Sequence, residues 1–117
     1  MEEKRKEKYK QIRYKRELER YLNRLVNFAK REEREDYDAF AAQAYEKLQA
    51  VEKVPLYNPF YEKLERFVEN SQKMRESEET LDAIKSSILR EANLIRKSKR
   101  IKSYNRKEKR LRQDEDY

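Results

Sequence analysis

Apolar positions recur along this chain at helical spacing, with charged residues filling the positions between them. The first run is Tyr14, Leu18, Tyr21, Leu22, Leu25, Val26 and Ala29, which falls along one face of an α-helix. Lys, Arg and Glu occupy the other face, and all three are good helix formers. The pattern predicts a helix that starts among residues 3–8 and ends near Arg34. Asp36 or Asp38 then restarts the chain, because a short side-chain oxygen accepts from the unpaired amides of a first turn. A second run, Tyr37, Phe40, Ala41, Ala44, Leu48 and Val51, predicts a helix to about Lys53, where Pro55 turns Val54 away from helical geometry.

The segment from Val54 to Phe60 is the strongest punctuation in the chain. Asn58 followed by Pro59 reads as an N-cap with proline at the first helical position, where its missing N–H costs nothing. Beyond Pro59 no helix breaker occurs. One stripe runs Tyr57, Phe60, Leu64, Phe67 and Val68; another runs Leu81, Ile84, Ile88, Ala92 and Ile95. The polar stretch from Ser71 to Thr80 separates them, with Ser77 as a cap for a fresh start. The reading adopted is one helix from Pro59 past residue 100, with a break near 75–80 as the alternative. After Ile101 the apolar signal ends.

These elements define an all-α chain: an antiparallel helical hairpin or bundle of three to four helices with a long C-terminal helix. Residues 1–16 form a basic N-terminal helix extension, residues 17–105 the bundle, and residues 106–117 a charged, disordered tail.

Composition sharpens this picture. The chain has 117 residues, 36% apolar and 47% charged, so its core is built from narrow stripes. It has no glycine, cysteine, histidine or tryptophan. That excludes a disulfide, a zinc site of the usual ligands, a thiol nucleophile and a glycine-rich phosphate loop. Strands lose their favoured hairpin residues as well. No apolar run approaches the ~20 residues of a membrane span, and the N-terminus is too charged for a signal peptide. The expected location is cytoplasmic, and no cofactor is expected.

Charge is unevenly spread. Residues 1–16 carry a net +5, residues 17–95 a net −4, and residues 96–117 a net +6. Arg96, Lys97, Lys99, Arg100, Lys102, Arg106 and Lys107 lead a basic segment dense enough to attract phosphate backbones. On a helix these residues surround the whole circumference, so contact would lack sequence preference. The carboxylates of Glu32 to Asp38 and of Glu76 to Glu79 read as solvated caps and surface ion pairs rather than catalytic pairs, because they sit among lysines and arginines in polar, helix-terminal stretches. No EF-hand spacing accompanies them.

Seven of the thirteen aromatic residues lie between Tyr37 and Phe67. Tyrosine combines a large apolar contact area with little entropy loss, which suits it to interfaces. Either all seven fill the hairpin end, or some of them, with Tyr45 and Tyr61 at the stripe edges, border a groove that receives an amphipathic helix.

Two stretches resemble the flagellar export chaperones of the FliT and FlgN kind. Arg34-Glu-Asp-Tyr-Asp-Ala-Phe, followed by Tyr45-Glu-Lys-Leu-Gln-Ala-Val, looks like the entry to their second helix. Leu81-Asp-Ala-Ile-Lys-Ser-Ser-Ile-Leu, continuing to Arg96-Lys-Ser-Lys-Arg-Ile-Lys-Ser-Tyr-Asn, is similar to the end of their last long helix. Glu35 and Ser98 stand where the family motifs carry glycine, and residues 1–16 have no counterpart. The resemblance covers about residues 17–105. It implies an adaptor that holds the helical terminus of an export substrate in an apolar groove, with Phe40, Tyr45, Phe60, Tyr61, Leu64 and Phe67, joined by Tyr57 of the aromatic cluster, as the expected partner-binding residues, and with the basic C-terminal helix contacting export machinery or acting in autoinhibition.

The leading expectation is a helical chaperone or adaptor for a protein partner, and not an enzyme. The alternative is a basic, nucleic-acid-associated helical protein that binds phosphate backbone without sequence specificity, with a homodimer compatible with either. A structural coiled-coil element without a groove is the third reading.

Overall fold

The computed structural model describes the backbone of residues 2–33 and 35–115, and the side chains of residues 7–33 and 35–98. Four helices follow in chain order: α1 (Glu2–Lys30), α2 (Tyr37–Gln49), α3 (Pro59–Lys73) and α4 (Leu81–Glu115). A 3₁₀ turn, Met74–Glu76, lies between the last two. No strand occurs among the described residues, and the fold is the expected all-α bundle.

Local chemistry sets the helix starts. The Asp36 carboxylate accepts from the Asp38 amide at 3.1 Å and caps α2. The Asn58 side chain accepts from the Phe60 amide at 2.9 Å, with Pro59 at the first helical position of α3. At the other end of α1, which closes at Lys30 rather than near Arg34, Lys85 takes over the free carbonyls. Its ammonium donates to the main-chain oxygens of Arg31 at 2.7 Å and Glu33 at 3.1 Å. A cation is favoured there because unpaired carbonyls concentrate negative potential at a helix C-terminus. Helix α2 ends at Gln49, short of the expected Lys53, because Glu52 and Pro55 are held against α1. Lys10 pairs with Glu52 at 3.1 Å, and Gln11 Nε2 donates to the Pro55 carbonyl at 3.0 Å.

The expectation of one helix from Pro59 past residue 100 is overturned: the chain breaks between Lys73 and Leu81. Ser77 leaves helical geometry at φ −79°, ψ 156°, and its hydroxyl donates back to the Met74 carbonyl at 2.8 Å. Thr80, rather than Ser77, starts α4. Its Oγ1 accepts from the Ala83 amide at 3.2 Å and its carbonyl from Ile84 at 3.0 Å. The driving force is burial. A continuous rod would hold Ile84, Ile88, Ala92 and Ile95 out in water, whereas folding back buries all four. Each buried aliphatic side chain is worth roughly 1.5–3 kcal/mol, more than the helical turn that is given up.

The helices run up, down, up and down. Arg96 donates to Asn23 Oδ1 at 2.8 Å and Lys85 reaches the end of α1, so α4 is antiparallel to α1. Asn70 to Glu91 at 3.3 Å and Lys63 to Ser98 at 2.7 Å make it antiparallel to α3 also. Helices α1 and α3 pack on each other, with α2 and α4 on either side. Because α1 touches every other helix, it is buried more broadly than one stripe. Phe28, outside the predicted run, is enclosed, and so is most of Glu17, paired with Arg20 at 2.6 Å and Arg24 at 3.8 Å. Packing begins at Tyr14, inside the segment expected to be an extension.

Candidate functional site

Helix lengths create the site. At ~1.5 Å per residue, the 13 residues of α2 span less than half the 29 of α1. Where α2 stops, α1 and α3 continue with one flank uncovered, and the chain after Gln49 closes it only in part. The result is an open cleft of about 350 Å³. Tyr14 and Leu18 of α1, Tyr45 and Leu48 of α2, Val51 and Val68 supply its apolar lining, and Glu52, Glu65 and Glu69 stand around it with Lys53. A volume near the low end of ligand pockets, ~300–1,000 Å³, has room for a few side chains of a partner rather than a whole helix.

The polar groups of the cleft are organised. The Tyr14 hydroxyl donates to Glu65 Oε2 at 2.7 Å. Burial, reinforced by that carboxylate, pushes the Tyr14 phenol above its ordinary range, so it stays a neutral donor. The cleft therefore offers an apolar floor and a mouth richer in carboxylates than in cations.

The seven expected partner-binding residues do not share one groove. Tyr45 alone lines this cleft. Leu64 and Phe67 are corrected to core residues, 0% and 1% exposed, with Phe67 edge-to-face against Tyr21 at 6.2 Å. They face inward because α3 is sandwiched between α1 and α4, so the face that the stripe marks is already used. Phe40 lies at the opposite end of the bundle, stacked on Phe28 at 4.5 Å. Phe60 and Tyr61 meet edge-to-face at the start of α3, 5.1 Å between centroids. Tyr61 donates to Glu19 at 3.0 Å and lies 5.2 Å from the Lys15 ammonium; burial first, then Glu19, pushes its phenol up to about 12. Tyr57 is 86% exposed at φ 51°, a conformation unusual for a residue with a side chain.

Residues that the aromatic pattern missed, Tyr14, Leu18, Leu48, Val51 and Val68, form most of the lining. They belong to the helical stripes and read as core; only the early end of α2 exposes their edge. A smaller furrow of about 180 Å³ lies between α3 and α4, beside Arg66, Glu91 and the exposed Leu94. Of the expected basic contacts, Arg96 is engaged with Asn23 and Lys97 is exposed. Lys99, Arg100, Lys102, Arg106 and Lys107 lie outside the residues whose side chains are described, as does the expected tail 106–117. Among the described residues, no group of three His, Cys, Asp or Glu side chains is placed to hold a metal ion, and no helix is long and apolar enough to cross a membrane.

Compared with known proteins, the chain matches no family model, no curated protein and no solved structure.

Proposed function

We propose that this protein is a helical adaptor or chaperone that grips an amphipathic segment of a protein partner in the cleft between α1, α2 and α3. The observation that carries the reading is the uncovered flank of α1 and α3 beside Tyr45, where apolar side chains meet an open mouth. Helix-in-groove recognition works by a few apolar anchors entering such a cleft. Glu52, Glu65 and Glu69 favour a segment that flanks its anchors with lysine or arginine, and like charges would be turned away. The resemblance to flagellar export chaperones makes the terminal helix of a flagellar export substrate the first natural partner to test.

The experiment compares two labelled helical peptides with one leucine face, the first bearing lysines on its flanks and the second glutamates. The lysine peptide binds at least about tenfold more tightly, and Val51→Glu or Tyr45→Ala removes most of that binding. Equal affinity for the two peptides, or binding untouched by Val51→Glu, rejects the reading.

A further inference from the structure

From Lys8 to Arg31, most of α1 and the residue after it, the chain carries nine cations and two carboxylates. The fold engages both carboxylates. Glu17 is buried and paired with Arg20 at 2.6 Å, and Glu19 accepts from the Tyr61 hydroxyl of α3 at 3.0 Å. No exposed residue of this stretch is acidic. Arg13, Arg16, Arg20, Asn23, Asn27 and Arg31 recur every three or four residues and are all exposed. They form one line on the side of α1 opposite the enclosed Leu18 and Leu25. At ~1.5 Å per residue this line is about 27 Å long. Helix α4 adds to its edge, because Arg96 donates to Asn23 Oδ1 at 2.8 Å and brings a further guanidinium there.

Solubility alone does not produce such a line. The exposed side of α3 mixes its signs, with Glu62, Lys63, Arg66, Glu69 and Lys73. Like charges three or four residues apart on a helix repel one another, and a polyanion relieves that repulsion while releasing its own counterions. Arg13 and Arg16 form no ion pair among the described residues. Arg31 is paired with Glu35 at 3.3 Å, but at the surface, where such a pair is weak and readily exchanged for a phosphate.

We infer that the outward line of α1 is a binding site for the phosphate backbone of a nucleic-acid duplex. It is separate from the cleft, to which α1 contributes Tyr14 and Leu18 from its other side. Arginine presents a planar fork that meets two phosphate oxygens at once. A duplex carries one negative charge per ~1.7 Å of a stiff axis, which suits a straight helix edge. A lipid surface would need an apolar face to insert, and that of α1 is used inside the bundle. A single strand would need ring platforms for its bases, and the six positions hold none. Contact to phosphates alone carries no sequence information, so unrelated duplexes bind alike.

Fluorescence anisotropy with the full chain tests this, using two labelled duplexes of unrelated sequence, a single strand of equal length and vesicles rich in phosphatidylserine. The duplexes bind alike and more tightly than the other two. Their affinity falls ~100-fold between about 50 and about 200 mM salt, as roughly four phosphate contacts require. Arg13→Glu with Arg16→Glu weakens duplex binding at least about tenfold and makes the salt dependence shallower by about two contacts. Arg66→Glu with Lys73→Glu changes the net charge equally but on α3, and weakens binding less than about threefold. All four residues are exposed, and the helical circular dichroism of each variant verifies its fold. Equal effects of the two double variants, tighter binding to the single strand or the vesicles, or no binding to either duplex overturns the inference.

Discussion

The Tyr37 hydroxyl donates to the main-chain carbonyl of Ser71 at 2.7 Å and ties the start of α2 to the end of α3. It belongs to a buried network. The Ser71 hydroxyl donates to the Val68 carbonyl at 2.7 Å and meets the Tyr21 hydroxyl, which also accepts from Gln72 Nε2 at 2.9 Å. Gln72 reaches the Ala41 carbonyl at 3.0 Å, so three helices share one set of polar contacts inside an apolar bundle.

Such a network is costly to break one member at a time, because each remaining group is left dry and unpaired. Ser71→Ala or Tyr37→Phe lowers unfolding free energy by ~1–3 kcal/mol in urea titration. Tyr21→Phe combined with Ser71→Ala costs less than the two single losses together, with a coupling of ~0.5–3 kcal/mol.

Thr80 decides where α4 begins. Thr80→Ala removes the side-chain acceptor for the Ala83 amide and destabilises the protein by ~1 kcal/mol. Ser77→Ala, which disturbs only the exposed end of the 3₁₀ turn, costs less. Equal losses in thermal unfolding would assign the start of α4 to both residues.

Glu91 places one carboxylate oxygen in the interior without a hydrogen-bond partner, while the other accepts from Asn70. Burial raises its pKa above the ordinary 4.5, so the folded state holds its proton more tightly than the unfolded chain. Its contribution to stability is present below that ordinary value and lost as pH rises through the folded one. Glu91→Gln therefore stabilises the protein near neutral pH by ~1 kcal/mol after allowance for solvent screening. The gain disappears in acid, as a thermal-unfolding series across pH measures.

Tyr14, Tyr21, Tyr37 and Tyr61 all have phenols raised above 10.0, with burial as the first cause in each. The folded state retains their protons where the unfolded chain gives them up. Their stabilisation is full below pH 10 and drains away as pH climbs beyond it. The protein unfolds cooperatively in alkali together with the rise of tyrosinate absorbance. Tyr61→Phe makes the fall of stability with pH shallower, because it removes one of the linked protons.

The all-α class, the Asn58 helix start, a second start at Asp36 or Asp38 and the apolar stripes were legible in the chain, because spacing and capping are local properties. The break before α4 was legible only as the alternative to a continuous helix, since its cause lies in the surfaces of α1 and α3 that Ile84, Ile88 and Ile95 cover after folding back. Residue type alone did not separate Tyr45, which edges a cleft, from Phe67, which is enclosed. That difference follows from which part of α3 has a neighbour, and α2, packed on the end of α3, stops too early to cover the rest. The two charged ends were visible from the first reading as separate features. Only the tertiary structure decided that α4 runs antiparallel to α1, because helix direction is set by packing between residues far apart in the chain.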